Sequence, residues 1–200
     1  MAYSDFKTLS QTKKEFGLTY DEKAGLFADV PERPASAFLR QTLNYNIELA
    51  LASNTEKARS ELIVTPILVE AYRQMQEEFS LFSGVEFTID AARGLSGFCD
   101  FIISDGQERL FITAPALMLV EAKKEDIKGG LGQCVAEMYA AQIFNEREGT
   151  PRQYIYGTVT SGTVWMFLRL SGTVVEIDLT EYYLVQLDKI LGLLAHAVSP

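Results

Sequence analysis

The 200-residue chain carries a single histidine, His196, and only two cysteines, Cys99 and Cys134. One histidine excludes a Ser-His-Asp triad, an HNH centre and a histidine-rich zinc site. Two cysteines far apart in sequence offer no metal-ligand spacing, and their apolar surroundings are those of reduced core thiols in a cytoplasmic protein. There is no glycine-rich loop ending in Gly-Lys-Ser/Thr, so P-loop chemistry is excluded. No apolar run approaches the ~20 residues of a membrane span, and the N-terminus has no signal-peptide pattern. Positive charge is scarce as well: 18 Lys and Arg against 27 Asp and Glu leave a net charge of −9. Internal repeats and long linkers are absent. What remains is a chain of 48% hydrophobic residues, ample for one domain with a sizeable core.

One stretch organises that chain: Ala116-Leu117-Met118-Leu119-Val120-Glu121-Ala122-Lys123-Lys124. Its first five residues form the uninterrupted apolar run of a strand covered on both faces. Glu121 and Lys123 then fall two positions apart, so the strand period puts both side chains on one face. Carrying an acid and an amine out of the core at a strand end costs stability, and chains tolerate such a cost at sites. The preceding segment, Gly94-Leu95-Ser96-Gly97-Phe98-Cys99-Asp100-Phe101-Ile102-Ile103, reads as a loosened turn and then a strand with one acid inside it. Adjacent strands bearing Asp100 and the Glu121–Lys123 pair would gather two carboxylates and an amine.

An acid on one strand followed by Glu-x-Lys at the end of the next resembles the PD-(D/E)XK nuclease superfamily, the restriction-endonuclease-like fold. The resemblance spans residues 61 to 160 and is closest to the Gly-x-x-Asp form of the motif, here Gly97-Phe98-Cys99-Asp100, with Cys99 in place of the motif proline. It implies an α/β fold: a restriction-endonuclease-like mixed sheet flanked by helices. It also implies Mg²⁺ or Mn²⁺ held by Asp100, Glu121 and the Ala122 carbonyl, with Glu61 contributed by the helix before the sheet. Hard oxygen donors of this kind suit those ions. Lys123 is then the residue that orients the attacking water, and Gln133 the polar helix residue facing the site. The stricter Gln-x-x-x-Tyr signature of some exonuclease relatives is missing. The reaction implied is phosphodiester hydrolysis in nucleic acid, with DNA the favoured substrate.

Along the chain, residues 1–52 read as a helical N-terminal extension, 53–180 as the core and 181–200 as a C-terminal helix, all within one nuclease-like domain. Short polar helices or loops precede a helix over 35–51. Ser53 with Glu56 has the form of a capping box opening a long helix to about Phe79, kinked at Pro66. Strands are expected at 85–89, 98–104 and 116–120, with 110–113 as a continuation of the hairpin. A helix follows over 131–147, opened by Gly129-Gly130. Beyond Pro151 come strands at 153–160, 163–170 and 173–179, joined by Ser-Gly turns, and a closing helix over 182–197.

The charge deficit bears on partners. Nucleic-acid affinity comes largely from Lys and Arg on phosphates. A chain this acidic, with Lys124, Lys128 and Arg152 as its candidate backbone contacts, is expected to act as a homodimer or as a subunit of a larger complex. The helices at 35–51 and 182–197 are the expected contact surfaces. Two alternatives stand beside catalysis: a buried ion pair with no activity, and a catalytically silent nuclease-like fold acting as a binding or regulatory subunit.

Overall fold

A computed structural model describes residues 1–76, 78–106 and 108–199. The chain is α/β, with an open, mixed sheet of eight strands covered by helices. In order, the elements are α1 (Leu9–Phe16), β1 (Thr19–Lys23), α2 (Ala37–Ser53), α3 (Glu56–Arg59), a π-helical turn (Ser60–Val64), α4 (Thr65–Gln74), β2 (Phe79–Glu86), β3 (Phe98–Asp105), β4 (Ala116–Ala122), α5 (Ile127–Arg147), β5 (Ile155–Thr160), β6 (Val164–Ser171), β7 (Val174–Asp178), β8 (Tyr182–Tyr183) and α6 (Leu187–Val198). The strand order is β1-β7-β6-β5-β4-β3-β2, with the short β8 on β6. The β1–β7 and β4–β5 pairs are parallel and the others antiparallel. Among the described residues no helix is long and apolar enough to cross a membrane.

Strand β4 lies in the interior of the sheet between β5 and β3, and all seven of its residues are buried, as its apolar run requires. Helix α5 is the crossover from β4 to its parallel neighbour β5. Together with α1 it covers one face, where Phe16 stacks on Tyr139 at 4.8 Å. Helices α2, α4 and α6 cover the other face over Trp165, Phe167, Phe101 and Met118. Asn145 ties α5 to the start of β4: its Nδ2 donates to the Ala116 carbonyl at 2.8 Å, and its Oδ1 accepts the Ala116 amide at 2.7 Å.

Several boundaries differ from expectation, each for a local reason. Residues 1–52 are not solely helical, because Thr19–Lys23 joins the sheet edge beside β7. Polar composition hid this strand, whose burial is slight. Buried Asp178 fixes the turn after it, accepting from the amides of Gly25 and Thr180 through Oδ1 and from Phe27 N–H and the Tyr182 hydroxyl through Oδ2. Ser53 ends α2 instead of opening the next helix. Asn54 takes the left-handed conformation at φ 48°, and Thr55 is the cap, its side chain accepting from Ala58 N–H.

Pro66 perturbs its helix as expected, in the form of the π-helical turn before it. The Leu62 carbonyl, which the proline cannot serve, accepts from Asn46 Nδ2 at 2.9 Å. Strand β2 begins at Phe79 and ends at Glu86, earlier than the expected 85–89. Residues 110–113 form bends and no strand. Tyr182 and Tyr183 pair with β6, so the last helix starts at Leu187.

Helix α5 also starts earlier than expected, at Ile127, capped by Asp126 accepting from Gly129 N–H at 2.8 Å. Its glycines lie inside the helix because their neighbours leave no room for a side chain. A Cβ on Gly130 would meet Val159 Cγ1 at 2.7 Å and Lys123 Cγ at 3.0 Å, and one on Gly132 would meet the Phe6 carbonyl oxygen at 2.6 Å.

Candidate active site

The β3–β4 ladder runs from Ser104–Ala116 to Phe101–Val120 and stops there. One step further along both strands stand Asp100 and Glu121. They share the face of Ile102 and Leu119, which pair directly, because side chains alternate along each strand. The ladder ends where the Asp100 side chain takes over a backbone role: Oδ2 accepts the Ala122 amide at 2.8 Å. Beyond this point β4 pairs only with β5, through Glu121–Val159 and Ala122–Thr160. The strand ends splay, and a cavity of about 290 Å³ opens between them and α3, lined by Asp100, Ala122, Ser83, Glu56, Ser60 and Glu61.

Lys123 follows the strand and is held by its backbone, with its N–H donating to the Thr160 carbonyl at 2.7 Å. Its ammonium donates to Glu121 Oε1 at 2.5 Å and to Gln133 Oε1 at 3.3 Å. Gln133 Nε2 in turn donates to Glu137 Oε1 at 3.1 Å. Asp100, Glu121, Lys123, Ala122 and Gln133 therefore meet at one end of the sheet. Glu61 lines the same cavity, but its carboxylate is 2.9 Å from Lys57 and its side chain is 60% exposed. Arg152 lies at the other end of β4, beside Leu117 and paired with Asp105, which removes it as a phosphate contact at this site. Lys124 and Lys128 are exposed near the site end.

Two acids that the sequence reading did not place at the site belong here: Glu137, and Glu56, which it read as part of a capping box. Glu137 is fully buried; burial raises the Cys99 and Cys134 thiols, and the Glu137 charge adds to both. It was findable: it sits three residues after Cys134 and four before Ala141, both on the buried side of α5, so helical spacing turns it inward. Glu56 acts electrostatically on Asp100, Glu121 and Lys123, whereas Glu61 figures in none of them.

Burial pushes the Glu121 carboxyl up to about 8, with the Asp100 charge adding to it and Lys123 opposing. Burial also raises Asp100, against the Ala122 amide and Lys123. Glu137 lies well above the carboxylate range through burial and the Glu121 charge. For Lys123 burial works toward a lower value, but Glu121 outweighs it by charge and hydrogen bond, so the ammonium stays charged.

Three carboxyls thus share the interior with one ammonium. Fully ionised, the set carries two uncompensated negative charges, and without a counter-ion the protons return. Glu121 Oε2 and Glu137 Oε2 are buried without a hydrogen-bond partner. The other buried acids differ: Glu70, like Asp178, is engaged by neighbouring donors, here Ser36 N–H, the Ser36 hydroxyl and Gln74. An orphaned carboxylate oxygen beside uncompensated charge fits a hard divalent cation. Among the described residues no three His, Cys, Asp or Glu side chains form a ready-made cluster. Asp100 and Glu121 are then a partial set, to be completed by backbone carbonyl and water, as Mg²⁺ usually requires.

Comparisons with protein-family models, with curated proteins and with solved structures return no match.

Proposed function

We propose that the chain is a Mg²⁺- or Mn²⁺-dependent nuclease of the PD-(D/E)XK type, hydrolysing phosphodiester bonds in nucleic acid, DNA by preference. The observation that carries this reading is the meeting of Asp100, Glu121 and Lys123 where β3 and β4 part. The chain path is in keeping with it: a helix, an antiparallel β2–β3–β4 meander, then a helical crossover to a parallel β5, the arrangement expected of a restriction-endonuclease-like core.

In this reading Asp100, Glu121 and the Ala122 carbonyl hold the ion, with Glu56 or Glu61 reaching it from the α3 side of the cavity. The ion, when bound, polarises the phosphoryl group and acidifies water. Lys123 orients the attacking water and offsets the negative charge that develops on the phosphoryl oxygens. Gln133 keeps the ammonium from collapsing wholly onto Glu121, because it offers a second acceptor. Lys124 and Lys128 are the exposed cations nearest to an approaching backbone.

The net charge of −9 favours a second reading, a silent fold that serves as a binding subunit. Nicking of supercoiled plasmid with and without Mg²⁺, using Asp100→Ala as control, separates the two. Mg²⁺-dependent nicking that Asp100→Ala abolishes supports catalysis. Equal background in both proteins sinks it and leaves the binding reading.

A further inference from the structure

Glu137 and Tyr3 lie outside the metal set, yet both are buried beside it, at 0% and 1% exposure. Lysine is donor-only, so an amide that faces Lys123 must present its oxygen. That fixes the Gln133 NH₂ group on the opposite side, where Glu137 Oε1 receives it. Were Glu137 replaced by an apolar residue, the amide would lose the acceptor that holds it in this sense. A flipped amide would aim its NH₂ group at the Lys123 ammonium, donor against donor.

The far side of Glu137 is closed by the N-terminus. Tyr3 is anchored by its N–H donating to the Ser96 carbonyl at 2.9 Å, and the following turn crosses α5 at Gly132, where a Cβ would strike Phe6 and Thr8 backbone atoms. The Tyr3 hydroxyl and Glu137 Oε2 are both buried and both without a partner, and Glu137 is one of the charges acting on Tyr3.

We infer that Glu137 is a positioning residue that locks the Gln133 amide with its oxygen toward Lys123, on a helix against which the N-terminal segment packs closely at Gly132. The functional consequence rests on the nuclease reading; the structural relationship does not. The assignment makes the first residues of the chain part of the site's support, although they touch none of its ion-holding atoms.

The test uses the full chain with Glu137→Gln, Glu137→Met, Gln133→Ala and the Glu137→Met/Gln133→Ala double variant. Lysine Cε is labelled with ¹³C so that the Lys123 signal is read by NMR without any substrate. Glu137→Gln retains an acceptor for the amide and is expected to leave the Lys123 signal near its wild-type position. Glu137→Met is expected to move that signal as Gln133→Ala does, and the double variant no further. In nicking assays Glu137→Met should lower kcat about 10- to 100-fold with KM little changed, in line with loss of a positioned group.

A Lys123 signal unmoved by Glu137→Met, or independent effects of the two substitutions, would overturn the inference whether or not the protein cuts DNA. If Glu137→Met fails to fold, Gln133→Ala and Glu137→Gln decide. A signal displaced by Glu137→Gln as far as by Gln133→Ala overturns the acceptor role; one left in place supports it. Absence of cleavage by the wild type, with the Lys123 pattern as expected, rejects the nuclease reading alone.

Discussion

Asp100 Oδ2 accepts the Ala122 amide at 2.8 Å, and with that bond a side chain from β3 takes the place that a backbone carbonyl would hold in a continuing ladder. The two strands part at this point, with Asp100 and Ala122 lining the opening and the Glu121–Lys123 pair flanking Ala122 in sequence. Burial raises the Asp100 carboxyl, and the same bond, by favouring its charged form, opposes part of that rise.

Removing Lys123 tests the charge-stabilising role assigned to it. Lys123→Met is expected to lower kcat about 10²- to 10³-fold, the usual cost of losing one such group. Single-turnover cleavage at saturating Mg²⁺ measures it. A variant within threefold of wild type would mean the ammonium serves folding alone.

Stability of the metal-free protein should depend on pH in an unusual direction. Glu121 is raised to about 8 from an ordinary value of 4.5, and Asp100 and Glu137 shift the same way. A raised carboxyl contributes stability that is complete below its unfolded pKa and is lost as pH rises through the folded one. Urea midpoints in EDTA should therefore fall between about pH 5 and pH 8, by roughly 2–4 kcal/mol. Glu121→Gln should flatten that slope; a variant as steep as wild type would place the coupling elsewhere.

Divalent metal should reverse this loss. An ion that binds only the native state stabilises by mass action, about 2.7 kcal/mol when free metal is 100-fold above Kd. Millimolar Mn²⁺ or Mg²⁺ is expected to raise Tm by several degrees in the wild type and not in Glu121→Ala. Equal shifts in both proteins would point to ions bound outside this site.

Asn145 is the main polar strut behind the site. It is fully buried and satisfies both backbone groups of Ala116 at the start of β4. Asn145→Ala leaves an N–H and a C=O unpaired inside the protein, and should cost about 2–4 kcal/mol in chemical denaturation. A loss under 0.5 kcal/mol would show that water replaces the side chain.

Association is the remaining expectation. Helix α6 itself is largely buried over the sheet, and the exposed apolar side chains of the expected 182–197 surface, Tyr183 at 49% and Val185 at 94%, lie ahead of it. Helix α2 instead leaves Phe38, Tyr45 and Leu49 exposed at 68%, 75% and 60%. Sedimentation is expected to find a dimer that Tyr45→Glu dissociates; a monomer that binds DNA below micromolar concentration would defeat the argument from charge.

Strand β4 and its acid–amine end were legible because the strand is buried on both faces, which leaves an uninterrupted apolar run, and because a period of two places Glu121 and Lys123 together whatever the surrounding fold. The neighbouring strand with Asp100, the helix after Gly129-Gly130 and the three final strands followed from the same local rules. Strand β1 did not, since a polar edge strand is defined by the neighbour it pairs with and not by its own pattern. The start of α5 was hidden by glycines that sequence rules read as breakers; they are present because Val159, Lys123 and the N-terminal segment crowd that helix, a fact of tertiary packing. Helical spacing turns Glu137 inward, but tertiary structure alone decided that one of its oxygens is left without a partner, while Glu61, a similar acid on another helix, lies in water beside Lys57. The difference is desolvation: spacing gives the side of a helix an acid occupies, and what packs over that side decides how much of its water it loses.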